Sequence, residues 1–238
     1  MKIISITSLA LLLPLSFSAN ALAWLPGHFL AGAEIGYVTR TGNLKSDGFS
    51  LAGVPIPGVN VTDLNNGGTL YGGFVGYQVV CKRYIFGLEG FLDLGDDNHV
   101  KSYPIPLLNI TAHGNLSTQR DTTYGVSARI GYIVHPCLVP YIRVGTQGGN
   151  DKFSLTYTGL PSFSIWDSFQ DEGVHWNWLL GIGLEVPLFS KKSSVRVEYD
   201  YSPAPTLNYT DLALPVLADH HYKAHSHAVK VQWVWNFI

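Results

Sequence analysis

Hydrophobic and polar positions alternate with a period of two along most of the chain. In the stretch 124–134, Tyr124, Val126, Ala128, Ile130, Tyr132 and Val134 share one face, while Gly125, Ser127, Arg129, Gly131 and Ile133 share the other. Successive side chains of a β-strand point to opposite faces, so this spacing predicts a strand; a helical period of 3.6 would scatter the same residues around its axis. The alternation recurs over 29–37, 71–79, 86–93, 142–144, 176–186, 195–201 and 229–237. The pattern predicts about eight strands, most of them close to the ~9–11 residues that a tilted strand needs to cross a bilayer.

The connections alternate as well. Short ones fall at 81–83, 135–138 and 189–194, and long ones near 42–67, 96–119, 147–172 and 203–222. Aromatic residues on the apolar parity collect at two levels. Tyr37, Tyr71, Tyr124, Trp176 and Tyr201 sit at the long-loop ends of their strands, and Phe29, Trp235 and Phe237 at the short-turn ends. Two aromatic belts separated by aliphatic residues are what the two headgroup interfaces of a membrane select. A soluble β-sandwich shares the strand count but explains neither the belts nor the alternating loop lengths.

Composition changes the picture in one direction. Charged residues make up only 13% of the chain and aromatic residues another 13%, with 25 glycines and one methionine. Past the first residues there is no run of the ~18 apolar residues that a spanning helix requires. A chain this apolar, without such helices, spans a bilayer by closing a sheet on itself. The expected fold is therefore all-β: a transmembrane antiparallel up-and-down β-barrel with short periplasmic turns and long external loops. The formal net charge of −2 gives no reason to expect a nucleic-acid partner.

Residues 1–23 read as a cleaved signal peptide, with Lys2, the apolar stretch Ile3–Phe17 and the small-residue site Ala21-Leu22-Ala23. The barrel domain is then expected over 24–238. Export places Cys81 and Cys137 in an oxidising compartment, at two neighbouring periplasmic turns, and a disulfide between them is expected. Two free thiols are the alternative, because turns flanking one hairpin start about two strand spacings apart, beyond the usual ~5.5–6 Å between bridged Cα atoms.

The inward parity carries Glu34, Glu89, Asp93, Asp121, Arg129, Arg143, Glu185, Arg196, Glu198, Asp200 and Lys230. Charges inside so narrow a barrel must largely pair, because an unpaired buried charge is very costly. Counting from the turns makes Glu89–Arg129, Arg129–Arg143, Glu185–Arg196 and Lys230 with Glu34 or Glu198 neighbours. The expected outcome is a salt-bridged plug, and an ion or proton path is the alternative.

The segments Tyr71–Tyr77, Gly87–Phe91, Tyr124–Tyr132 and Val229–Ile238 give the chain a resemblance to the eight-stranded outer-membrane barrels. That group includes the transmembrane domain of outer-membrane protein A and the opacity-type surface proteins. The resemblance implies the outer membrane of a Gram-negative bacterium, with outer-membrane lipid and lipopolysaccharide as surroundings. It also implies insertion machinery that reads a C-terminal aromatic residue; here Phe237 is penultimate and Ile238 follows. Host proteins or neighbouring surface proteins are the expected loop partners, and no cofactor is implied.

Some small outer-membrane barrels modify lipid A with a His and a Ser near the outer leaflet. His225-Ser226-His227, with Asp211 and Asp219 nearby, stands at about that height. Adjacent strand residues point to opposite faces, however, so His225 and Ser226 cannot act together. His220, His221, His225 and His227 form a second candidate group, for a metal such as zinc or copper or as a solvated, pH-sensitive cluster. The stretches Leu51–Val61, Tyr103–Ile110, Leu160–Phe169 and Leu207–Leu217 are apolar for surface loops. They either mark an interaction surface or pack on one another where strands continue above the membrane. The leading expectation is a non-enzymatic structural or surface-interaction barrel; a narrow channel and a lipid A-modifying enzyme are the alternatives.

Overall fold

A computed structural model describes residues 27–46, 49–51, 54–56, 59–107, 110–158, 169–188, 192–203, 207–211 and 218–237. The expected signal segment and loop residues 159–168 and 212–217 lie outside the described residues. So do the side chain of His220 and most side chains of the four apolar loop stretches.

The chain runs up and down through eight long strands that close into an antiparallel barrel. In chain order these are β1 (Gly27–Ser46), β2 (Val59–Cys81), β3 (Tyr84–Leu107), β4 (Ile110–Tyr132), β5 (Val139–Thr158), β6 (Phe169–Pro187), β7 (Ser193–Pro203) and β8 (Ala218–Phe237). Each pairs with its sequence neighbour, and β8 pairs with β1 from Phe29↔Phe237 to Ser46↔His220. A short hairpin, Phe49–Leu51 with Val54–Ile56, follows β1, and Leu207–Asp211 adds to the upper end of β8. Starting at Phe29, the register passes Tyr77, Leu88, Ala128, Val144, Leu180, Tyr201 and His227 and returns to β1 at Thr39, ten residues further on. A stagger of that size around eight strands tilts them by roughly 40°, which leaves an interior just wide enough for side chains to fill.

The outer face is apolar in a way that water would not tolerate: Ile35, Val75, Leu88, Trp178 and Ile182 are each more than 60% exposed. In hydrocarbon this is the stable surface. The belt residues Tyr37, Tyr71 and Trp176 lie on it at one level, and Phe29, Trp235 and Phe237 at the other. Inside, Leu30, Phe74, Phe91, Leu179 and Val234 form a small buried apolar cluster among polar neighbours.

The strands run further outward than the alternation alone indicated. β3 and β4 stay paired from Asp97↔Arg120 to Leu107↔Ile110, through most of the segment expected as a loop at 96–119. Val100, Tyr103, Ile105 and Thr111 are strand-favouring residues. Pro104 and Pro106 are tolerated because β2 pairs with β3 only as far as Gly95, which makes β3 an edge strand beyond that point.

Candidate functional site: the barrel interior and its outer mouth

Alternation along each strand delivers polar side chains to the lumen, and two linked groups of charges fill it. In the first, Arg196 on β7 donates from Nε to Glu185 Oε2 at 3.0 Å and from Nη1 to Glu89 Oε1 at 2.9 Å. Arg129 on β4 stands 3.4 Å from Glu89 through Nε, hydrogen-bonds Glu185 through Nη1, and donates from Nη2 to Gln78 Oε1 at 2.5 Å. Ser194 Oγ adds a bond to Glu185 at 2.7 Å. In the second group, Arg143 on β5 donates to Ser127 Oγ at 2.8 Å and to Glu198 at 2.5 Å, and the Tyr141 hydroxyl donates to Glu198 at 2.9 Å. Lys230 on β8 donates to Asp93 at 2.6 Å and lies 3.5 Å from Asp200 and 3.7 Å from Glu34. Gln232 bridges Glu34 at 2.7 Å and Glu198 at 3.1 Å.

Arg129 and Arg143 are direct cross-strand partners, an unfavourable pairing of like charges. They turn to different carboxylates, and Arg143 also lies 4.5 Å over the Phe91 ring, Arg129 5.0 Å over Tyr141. Arg129, Arg143 and Arg196 are all at most 2% exposed. Arg196–Glu89 joins β7 to β3 and Lys230–Asp93 joins β8 to β3, so these pairs brace opposite sides of the lumen.

A third cluster stands at the outer mouth, three residues beyond the rung where Gly148 meets Trp176. Arg120 holds Asp151 through Nε at 2.5 Å and through Nη2, Arg40 approaches Asp151 from the far wall at 3.8 Å, and His175 Nδ1 stands 3.5 Å away. Burial alone would raise the Asp151 carboxyl, but the nearby His175 imidazole, the Arg120 hydrogen bonds and the two arginine charges outweigh it and hold its pKa at about 2. Between this cluster and Lys230 lies a cavity of about 50 Å³, lined in part by Arg40, Arg120, Gln147 and Ser202. That volume holds a few waters.

Glu34, Glu89, Asp93, Arg129, Arg143, Glu185, Arg196, Glu198, Asp200 and Lys230 are all buried on the lumen side. Asp121 is the exception among the expected interior charges. Its side chain is 41% exposed and pairs with the exposed Lys152 at 2.9 Å. The cause is a β-bulge in β4 between Arg120 and Thr123, which inserts one residue and reverses the parity above it. Arg120 points inward in its place, and alternation counted from the turn could not have found it. Arg40 shares the even parity of Glu34 on β1, in the part of the strand that continues past the alternating stretch 29–37.

The expected disulfide is not formed: Cys81 and Cys137 are free, exposed thiols. Cys81 ends β2 opposite Tyr84, which pairs with Tyr132, and Cys137 lies in the following turn. The intervening hairpin keeps the two turns about two strand spacings apart, close to 10 Å, too far to bridge.

His225 and His227 lie on the outer face, in line with Val229, Val231 and Trp233, while Ser226 borders the internal cavity. Tyr199 OH and His227 Nδ1 are 2.6 Å apart, and Tyr201 stacks on His225 with ring centroids 6.4 Å apart. Among the described residues, no group of three or more His, Cys, Asp or Glu side chains is placed to hold a metal ion.

A family model described as outer membrane protein beta-barrel domain matches residues 7–237. No curated protein sequence matches the chain. Among solved structures, the chain is similar to Ail, the attachment invasion locus protein of Yersinia pestis, at 12% identity over 87% of this chain and 99% of that one, with a TM-score of 0.36. It is also similar to the outer membrane protein OprG from Pseudomonas aeruginosa at 11% identity over 88% and 96%, TM-score 0.45. The outer membrane protease OmpT from Escherichia coli aligns at 8% identity over 87% and 97%, also with a TM-score of 0.45.

Proposed function

The chain belongs to the outer-membrane protein beta-barrel domain family of the Gram-negative outer membrane, and from that premise we propose that it works as a closed, non-enzymatic barrel whose outer hairpins meet its partners. The observation that carries this reading is the lumen braced by Arg196, Arg129 and Arg143 against Glu89, Glu185 and Glu198. A wall-to-wall ion-pair network serves rigidity and excludes transport. The paired extension of β3 and β4 up to Leu107↔Ile110 holds residues 103–107 and 110 away from the bilayer, where a protein on a host or neighbouring cell can reach them. The placement of His225 outside and Ser226 inside supports a role without acyl transfer, which needs both on one side.

The test pairs two measurements on the full-length protein. In planar bilayers it is expected to show no discrete conductance steps. In bacteria, replacing 97–119 by a two-residue turn is expected to abolish attachment to host cells or to neighbouring bacteria while the protein still reaches the surface. Steady single-channel currents, or attachment unaffected by loss of that hairpin, would overturn the proposal.

A further inference from the structure

The two ends of the barrel differ sharply in charge. The long connections 42–67, 96–119, 147–172 and 203–222 hold ten Asp and Glu residues against three lysines. The short connections 81–83, 135–138 and 189–194 hold Lys82, Arg83, Lys191 and Lys192, and no Asp or Glu. Lys82, Arg83 and Lys192 are exposed, and among the described residues no carboxylate pairs with any of them. The lumen arginines are neutralised within the fold; these turn cations are not.

Backbone bonds fix their height at the turn-end aromatic belt. Ile133 N donates to Arg83 O at 2.8 Å, which sets Arg83 beside Tyr132 and one residue before Tyr84. Tyr84 and Tyr132 are both exposed, with ring centroids 5.2 Å apart. Four strands away, on the opposite side of the rim, Asn236 N donates to Lys192 O at 2.8 Å, between the exposed Trp235 and Phe237. One strand residue advances ~3.3 Å, so each cation stands at the depth of the lipid phosphates, just past the rings that mark the hydrocarbon boundary. Turns this short project little beyond that layer.

The conformation of Lys82 is a second, separate sign. Its φ of 56° lies in the left-handed region, which glycine enters freely and a lysine enters at a cost. Glycine would close the two-residue turn between Cys81 and Tyr84 with less strain, so the geometry of the turn does not account for a lysine there. A use for its charge does.

Cations at phosphate depth select among lipid heads by charge. An anionic phosphodiester accepts charge-assisted hydrogen bonds from lysine and arginine, whereas a zwitterionic head brings an ammonium of its own. We propose that Lys82 with Arg83, and Lys192 on the opposite side, form two binding sites on the periplasmic rim, each for the phosphodiester head of an anionic glycerophospholipid of the inner leaflet. The acyl chains lie along Tyr84 and Tyr132 at the first site, and along Trp235 and Phe237 at the second.

The test is lipid retention by the folded full-length protein in detergent micelles, read by native mass spectrometry. The probes are phosphatidylglycerol, phosphatidylethanolamine and a soluble muropeptide from digested cell wall. Phosphatidylglycerol is expected to be retained best. Replacing Lys82, Arg83 and Lys192 by glutamine is expected to weaken its retention about fivefold for each charge removed. Lys82→Gly, which relieves the backbone strain as it removes the charge, is expected to fold at least as well and still retain less lipid. Lys82→Arg with Arg83→Lys is expected to keep retention, as is Lys223→Gln at the outer end of the barrel. A heat-dependent gel shift establishes that each variant is folded before it is scored. Equal retention of phosphatidylethanolamine, unchanged retention by the glutamine variants or by Lys82→Gly, or an equal loss in Lys223→Gln would overturn the proposal. So would muropeptide binding with the same dependence on Lys82 and Arg83, which would make the cell wall the occupant.

Discussion

Arg196 on β7 and Glu89 on β3 meet at 2.9 Å across the full width of the barrel, four strands apart whichever way the wall is followed. Arg196 is wholly buried and Glu89 nearly so, and Glu185 shares the guanidinium. Replacing Arg196 by methionine leaves both carboxylates buried without that partner and is expected to destabilise by about 3–5 kcal/mol. Lys192→Met, at an exposed turn residue, is expected to change stability by no more than about 0.5 kcal/mol. Denaturant titrations of both variants refolded into lipid check this, and equal costs would mean that Arg196 does not brace the lumen.

Close approach of strands makes one glycine irreplaceable and another dispensable. A Cβ on Gly125 would stand 2.2 Å from the Thr146 carbonyl oxygen and 2.7 Å from Phe91, whereas on Gly90 it would meet nothing nearer than 3.9 Å. Gly125→Ala is expected to cost about 1–3 kcal/mol, and Gly90→Ala to be neutral or slightly stabilising. The same unfolding measurement separates the two.

Both cysteines are expected to react. Alkylation of unreduced protein with a maleimide should add two labels per chain, and a membrane-impermeant reagent applied to intact cells should add none, because both thiols lie on periplasmic turns. A linked Cys81–Cys137 peptide in a non-reduced digest would show that the two turns approach each other more closely than the register allows.

The outer mouth should weaken in acid. Asp151 is held below its unfolded value of 3.8, at about 2, so its contribution is full above pH 4 and is lost as pH falls through that window. The shift corresponds to about 2 kcal/mol. Acid titration of stability is expected to fall more steeply in the natural protein than in Asp151→Asn below pH 4, with the two curves parallel above it.

The strands, their parity and the outer membrane were legible because hydrocarbon leaves so little choice. A strand facing lipid must be apolar at every second position, and that constraint is written along 124–134 and 229–237 alike. The lumen side was legible wherever strict alternation ran on from a turn, which is why Gln78, Tyr141 and Gln232 fall on the same parity as the charges they bond. It failed at Asp121, because a single inserted residue reverses every position above it and leaves no mark in composition. Arg120 was hidden for the same reason; Arg40 and Asp151 keep the inward parity of their strands but lie beyond the belt, where water relaxes the alternation that hydrocarbon enforces.

The closing seam joins the first and last strands of the barrel, and it begins with Phe29 beside Phe237. These residues are nearly as far apart along the chain as any two in the barrel, so every other strand must be made before this one can lock. An unfinished barrel is a curled sheet with two raw borders, one at each end of the sequence, and neither border can rest against lipid. The chain therefore has no useful halfway product: a truncation that spares seven strands forfeits the ring as surely as one that spares three.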